Sequence, residues 1–267
     1  MSTPIRRTPR HAGTVVAARA LTPRTRRITI TAPTLPPPRP AQDVELVLDD
    51  GGRRCKRRYT VAGYRDGTFH VDAVLHGEGP GARWAASARP GDAVDLCGPR
   101  GRIELADADW HLFVGDEASL PAIIELAAAL AAPGRASGLA GAAGAIPAFS
   151  GGADPAFSGG ADPARGGPKV MAIIEVATAT DELPVPAQVS WLHRGDRPAG
   201  APDLLQAALA RFRAPSGAGY GYALGESRTV AALRPRLAEL GLAGERLYLK
   251  GYWNAWDPRR RAAPPSG

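Results

Sequence analysis

The most informative short stretch in the chain is Cys55-Lys56-Arg57-Arg58-Tyr59-Thr60-Val61. An arginine, an aromatic ring two positions on and a hydroxyl next to it can together hold a phosphorylated ligand that carries a flat ring. The guanidinium offers a two-pronged fork to a phosphate, the tyrosine offers a face, and the threonine offers a hydrogen bond to a ring edge. Taken alone, the stretch reads better as an exposed, arginine-rich strand with one packed tyrosine. A second candidate follows at Val71–Trp84 (VDAVLHGEGPGARW), a strand, a Gly-Pro turn and a helix start. Unpaired backbone N–H groups at such a helix start suit a diphosphate. A third is Gly115-Asp116-Glu117-Ala118-Ser119-Leu120-Pro121, a strand-to-helix junction of the kind that borders ligands in open α/β sheets. Leu224-Gly225-Glu226-Ser227 at another strand end and Lys250-Gly251-Tyr252-Trp253 complete the set.

The elements that must position these residues fall into two textures. Up to about residue 100, short strands are expected at Arg26–Ala32, Val44–Leu48, Tyr59–Ala62, Phe69–Leu75 and Ala93–Cys97, with one helical turn at Gly81–Ala88. Each strand is bounded by Gly, Asp or Pro turns, which suggests an antiparallel barrel or sandwich. From Trp110 onward, strands at His111–Gly115, Lys169–Thr178, Ala187–Leu192, Tyr220–Leu224 and Arg246–Lys250 alternate with helices at Leu120–Ala132, Asp203–Phe212 and Arg228–Leu240. Asp203 is placed as the N-cap of its helix. That alternation implies a mostly parallel sheet covered on both faces. Between the first helix and the next strand, Pro133–Pro168 is rich in Gly, Ala, Ser and Pro. It holds the direct repeat Pro147-Ala-Phe-Ser-Gly-Gly-Ala-Asp/Pro155-Ala-Phe-Ser-Gly-Gly-Ala-Asp. A flexible insert is expected there.

Taken in order, the motifs resemble the siderophore-interacting protein family, flavin-dependent ferric-siderophore reductases. The family's R-x-Y-T, V-x-H-G-x-x-G-P-A-S-x-W-A, G-P-x-G, G-D-E-T-A-L-P-A-I, A-G-E and K-G-Y-W segments have counterparts here, with Trp191-Leu192-His193-Arg194 as a further one, over roughly Arg10 to Trp253. The resemblance implies a two-domain, ferredoxin-reductase-like fold: an FAD-binding antiparallel β-barrel at 1–106, an NAD(P)H-binding-like α/β domain with a parallel sheet at 107–254 containing the 133–168 insert, and a flexible tail at 255–267. It implies FAD held by Arg57, Tyr59, Thr60, Val74, His76, Gly79, Pro80, Gly81, Ala82 and Trp84. NADH or NADPH would be presented through Asp116, Glu117, Ala118, Ser119, Pro121, Gly225 and Glu226. No residue is singled out as catalytic, and no protein-bound metal is required. The substrate would be an iron-loaded siderophore, often anionic, drawn in by Lys56, Lys250 and Arg194. Alternatives are a flavoprotein with another electron partner (ferredoxin as donor, or free flavin as acceptor) and a non-catalytic siderophore-binding protein. The sequence departs from the family pattern at Ala82, Ala118, Ala62 and Asn254, and a hydroxyl reappears one place late at Ser119.

Charge and composition narrow the remaining classes. The 267 residues carry 33 Lys+Arg against 26 Asp+Glu, a formal net charge of +7. Only Lys56, Lys169 and Lys250 are lysines. The basic runs are scattered and accompany no nucleic-acid-binding pattern, so no nucleic-acid role is expected. No apolar run approaches the roughly 18 residues of a membrane-spanning helix, and no secretory signal is expected from the first residues. Two cysteines, Cys55 and Cys97, make neither a disulfide framework nor a metal-ligand spacing. A cytoplasmic monomer is the expectation. Gly217-Ala-Gly-Tyr-Gly precedes a strand rather than following one, and Gly225-Glu-Ser227-Arg-Thr229 lacks the second glycine of a nucleophile elbow, so neither motif supports a competing function.

Overall fold

A computed structural model describes residues 9–75, 77, 79–132 and 167–255, which build two sheets. The first is antiparallel: β1 Arg10–Ala20, β2 Thr25–Thr31, β3 Asp43–Asp50, β4 Arg53–Thr60, β5 Ala62–Arg65, β6 Thr68–Val74 and β7 Ala93–Arg100, in the order β4-β3-β7-β1-β2-β6-β5. Strands β4 and β5 lie on opposite edges, yet only Val61 separates them in the chain. The sheet must therefore curl until its edges meet, which makes it a barrel. Inward-facing residues alternate along the strands, and Val15, Ile28, Ile30, Val44, Leu46, Phe69, Val71 and Leu96 fill the interior.

Strand β1, most of β4 and all but the first residue of β5 escape the sequence reading. Strand β1 (RHAGTVVAARA) has few strong strand formers, because its inward positions approach neighbouring strands closely. A Cβ at Gly13 would lie 3.0 Å from Ile30 Cγ2. Strand β4 starts at Arg53, six residues earlier than its apolar end indicates. Its charged first half pairs residue for residue with β3, from Asp50↔Arg53 to Asp43↔Thr60. The hairpin between them turns at Gly51 and Gly52, both at positive φ, and the Asp49 carboxylate accepts the Gly52 N–H at 2.7 Å.

The second sheet is parallel: β8 Trp110–Asp116, β9 Lys169–Val176, β10 Gln188–His193, β11 Gly219–Glu226 and β12 Leu247–Trp253, in the order β10-β9-β8-β11-β12. Its strands are apolar almost throughout because both faces are covered. Helix α2 (Leu120–Ala131) packs with Phe113, Ile174, Tyr222 and Leu224 on one face. Helices α3 (Asp203–Arg211) and α4 (Ser227–Glu239) pack with Leu112, Val114, Ile173 and Ala223 on the other. Pro202, not Asp203, is the N-cap of α3. Asp203 instead enters the first turn, where its charge suits the helix dipole and meets Arg197 at 2.9 Å. The strand order reverses between β8 and β11, so the carboxyl ends of these two strands form the switch-point crevice of the sheet. Residues 133–166 of the repeat insert and 256–267 of the tail lie outside the described residues.

Candidate functional site

The barrel's candidate site is built by β4 and helix α1 (Pro80–Ser87). Alternation along β4 divides its side chains into two sets. Arg57 and Tyr59 share one side and meet α1, while Lys56, Arg58 and Thr60 share the other and meet the acids of β3. A Cβ at Gly81 would lie 2.7 Å from the Tyr59 hydroxyl and 3.5 Å from Arg57 Cγ, so only glycine lets the helix start rest on both. Gly79 is the N-cap and makes no side-chain cap, and Pro80 occupies the first helical turn. The opening N–H groups of α1 consequently point outward beside Arg57 without an intrahelical acceptor. Trp84 completes the wall, its ring centre 5.6 Å from that of Tyr59. Burial pushes the Tyr59 hydroxyl up to about 12, which keeps it a neutral donor.

Arg57 differs from its neighbours in how it is paired. Lys56 and Arg58 both pair with Glu45, at 2.8 and 3.7 Å, and Arg100 joins them at 2.9 Å. A hydrogen bond from Lys56, aided by Arg100, holds the Glu45 carboxyl below its ordinary range. No described carboxylate pairs with Arg57, whose guanidinium donates to the Lys56 carbonyl at 2.8 Å. A free guanidinium, uncapped helix N–H groups and an aromatic wall are the donor set that a dinucleotide-type diphosphate and its rings require, so the residues present fit FAD. Ala82 contributes a methyl group only, so any phosphate held here would rely on backbone donors and Arg57. Val74 ends β6, half-buried, and His76 lies outside the described residues.

Thr60 belongs to a second cluster, on the seam between the sheets. Its hydroxyl donates to Asp43 Oδ1 at 3.4 Å, and Lys250 of β12 donates to Asp43 Oδ2 at 2.7 Å. The Lys250 and Asp43 side chains are 16% and 4% exposed. Lys250 Nζ also stands 4.4 Å from the centre of the Tyr252 ring. The hydroxyl of half-buried Tyr252 is itself buried near Thr60, and that burial drives it well above the ordinary range. Arg100 faces Asp43 across the β3–β7 ladder. Beyond it opens a cleft of about 450 Å³ lined by Arg39, Gln42, Arg100, Gly101, Arg102 and Glu104. The sequence reading passes over these arginines, although the run Gly98-Pro99-Arg100-Gly101-Arg102 carries two of them. Of the three cations expected to draw substrate, Lys56 is exposed on Glu45 and Lys250 is committed to Asp43. Arg194 is 9% exposed and turned inward onto Glu117 at 2.9 Å, which removes it from the surface.

The switch-point crevice gathers the remaining expected residues. Asp116 accepts from Trp253 Nε1 at 2.8 Å, from the Glu226 N–H at 2.9 Å and from the Ala118 N–H at 3.0 Å. A Cβ at Gly225, whose φ is +146°, would lie 2.6 Å from its carboxylate. Ser119 is fully buried, its hydroxyl donating to the Asp116 carbonyl at 2.8 Å. Glu226 caps α4 by accepting the Thr229 N–H at 2.7 Å, and Glu117 accepts the Ala177 N–H at 2.7 Å. Pro121 is buried in the first turn of α2. The carboxylates here are thus turned inward and satisfied, and the head of α4 is already capped. Gly225 is buried against the Asp116 carboxylate, and these residues do not form a phosphate cradle.

Burial pushes Asp116 up to about 6 and Glu175 up to about 7, the latter against the attraction of Arg194. Both groups hold protons in the folded chain that the unfolded chain has released, so stability falls as pH rises from about 4.5 through about 7. Glu175→Gln is expected to raise the thermal midpoint at pH 8 and to flatten its fall between pH 5 and 7.5. Melting curves across that range check it; an unchanged slope would place the titration elsewhere.

A curled antiparallel sheet followed by a parallel sheet with a switch point defines the ferredoxin-reductase-like class of FAD- and nicotinamide-binding folds. The FAD/NAD-binding domain of a Vibrio cholerae nitric oxide dioxygenase shares this fold, with a TM-score of 0.64 at 13% identity over 92% of this chain and 99% of that one. Residues 31–103 match the siderophore-interacting FAD-binding domain, and residues 137–255 match the siderophore-interacting protein domain. The chain belongs to the siderophore-interacting protein family. A siderophore utilization protein from T. fusca superposes with a TM-score of 0.71 at 27% identity, over 92% of this chain and 93% of that one. Sequence relatives include a ferric vibriobactin reductase of Vibrio cholerae, 39% identical over 88 residues (32% of each chain). Another is an NADPH-dependent ferric-chelate reductase of Escherichia coli, 34% identical over 82 residues (29% of this chain, 32% of that one). The aligned stretches thus span about a third of these two relatives. Among the described residues, no helix is long and apolar enough to cross a membrane.

Proposed function

We propose that the protein is an FAD-dependent reductase of ferric siderophores. The observation that carries the reading is the cradle formed by Arg57, Tyr59 and the uncapped head of α1, which has the charge and shape for FAD in a domain matching siderophore-interacting FAD-binding domains. The names of the Vibrio and Escherichia relatives support the reaction class. Bound FAD would supply the capacity to accept a hydride or electron pair and to pass single electrons to Fe(III). Arg57 and the α1 N–H groups would hold the diphosphate, and Tyr59 and Trp84 would shield the site from water. The ferric chelate is the substrate. The cleft of Arg39, Arg100 and Arg102 beside the Asp43–Lys250 seam would attract its negative charge. Reduction to Fe(II), a less hard cation, would loosen a chelate built from hard oxygen ligands and so release the iron.

NADH or NADPH is the proposed donor, supported by the 3-2-1-4-5 order of the parallel sheet and the switch point it creates between β8 and β11. Its phosphates find no cradle in the inward-turned carboxylates, so a high KM for either nucleotide is expected. That same feature favours a second reading, in which reduced ferredoxin delivers the electrons. The test is anaerobic turnover of the FAD-loaded protein with ferric siderophore and an Fe(II) chelator, supplied in turn with NADH, NADPH and reduced ferredoxin. Formation of the Fe(II) complex with at least one donor is expected. None with any donor would leave a binding protein.

A further inference from the structure

Helix α1 is fastened at the end remote from the cradle by one side chain from another strand. Arg26 stands on β2, opposite Ala73 of β6. Its guanidinium reaches the last turn of α1. Nη1 donates to the Ala85 carbonyl at 2.7 Å and to the Ala86 carbonyl, and Nη2 donates to the Ala88 carbonyl at 3.1 Å. Carbonyls in a last turn lack intrahelical donors and carry the negative end of the helix dipole. No basic residue of α1 itself lies there to serve them. A planar fork can satisfy several at once. An eight-residue helix is too short to hold its direction alone, and its opposite end rests on Tyr59 and Arg57 through Gly81.

We propose that Arg26 is a positioning residue for the FAD diphosphate: by clamping the final carbonyls of α1 to the barrel, it aims the opening N–H groups of the same helix at the phosphates. Arg26 acts roughly 12 Å from the cradle, through the length of the helix. The inference rests on reading that cradle as the FAD site. Apo-protein carrying Arg26, Arg26→Met or Arg26→Lys is titrated with FAD and with riboflavin, which lacks the diphosphate, following quenching of flavin fluorescence. Arg26→Met should bind FAD about tenfold more weakly and riboflavin within about twofold of the parent. Arg26→Lys, which keeps the charge but loses the fork, should fall between. A parent that binds neither flavin overturns the cradle reading and this role with it. A parent that binds FAD while Arg26→Met binds it equally well, or weakens for both flavins alike, overturns the role of Arg26 alone. Arg26→Lys guards against a misfolded Arg26→Met, since near-parental FAD affinity in a folded Arg26→Lys would show that the fork is not needed.

Discussion

Arg57→Ala is expected to weaken FAD binding by about 10- to 100-fold, because charge-assisted hydrogen bonds to phosphate contribute roughly 1.5–3 kcal/mol. Among the described residues Arg57 has no carboxylate to release before it can bind an anion, whereas Lys56 and Arg58 are already engaged by Glu45. Lys56→Ala should therefore change FAD affinity far less. Arg57→Lys should recover part of the loss, since it restores the charge without the planar fork. Stability should hardly change in Arg57→Ala, as the side chain is exposed and free of ion pairs among the described residues. Equilibrium titration of the apo-proteins with FAD decides the point. Equal affinities for the parent and Arg57→Ala would move the diphosphate to another part of the barrel.

Lys250→Met should lower stability by about 3–5 kcal/mol, the usual consequence of leaving one member of a buried ion pair without its partner. Asp43 is 4% exposed and would keep a charge whose remaining side-chain donor is Thr60 at 3.4 Å. The thermal midpoint should drop by on the order of ten degrees in a chain of this size. Asp43→Asn combined with Lys250→Met should regain much of the loss, because no unpaired charge is then buried. The pair joins β3 of the barrel to β12 of the parallel sheet, so the single substitution should also make the two sheets melt less cooperatively. A loss below about 1 kcal/mol would mean that the pair is screened like a surface bridge.

How much of this was readable in advance depends on how far apart the interacting residues lie in the chain. The Arg57-x-Tyr59 spacing could be read directly, because a period of two puts both residues on one side of any strand. The same period sends Thr60 to the other side, onto Asp43, a separation visible once β4 is known to be one unbroken strand. The β–α alternation after Trp110 was legible as a parallel sheet, and with it the crevice at Asp116 and Gly225. What those residues do there was not. Asp116 is occupied by Glu226 and Trp253, 110 and 137 positions away, and Arg194 is drawn inward by Glu117, 77 positions away. Long-range burial of this kind leaves no local pattern. Strand β1 was missed for a related reason, since Gly13 is small to fit beside Ile30 and carries no strand signal of its own.

The central claim is tested most directly by a single anaerobic mixing experiment. FAD-loaded protein, reduced chemically so that no natural donor is needed, is mixed with a ferric siderophore in the presence of an Fe(II) chelator. Visible absorbance of oxidised flavin and formation of the Fe(II) complex are then recorded together. The account predicts that oxidised-flavin absorbance returns as Fe(II) appears, one iron for each electron lost, and that Arg57→Ala loses the reaction through loss of FAD. Flavin that stays reduced while the ferric chelate remains intact would contradict it.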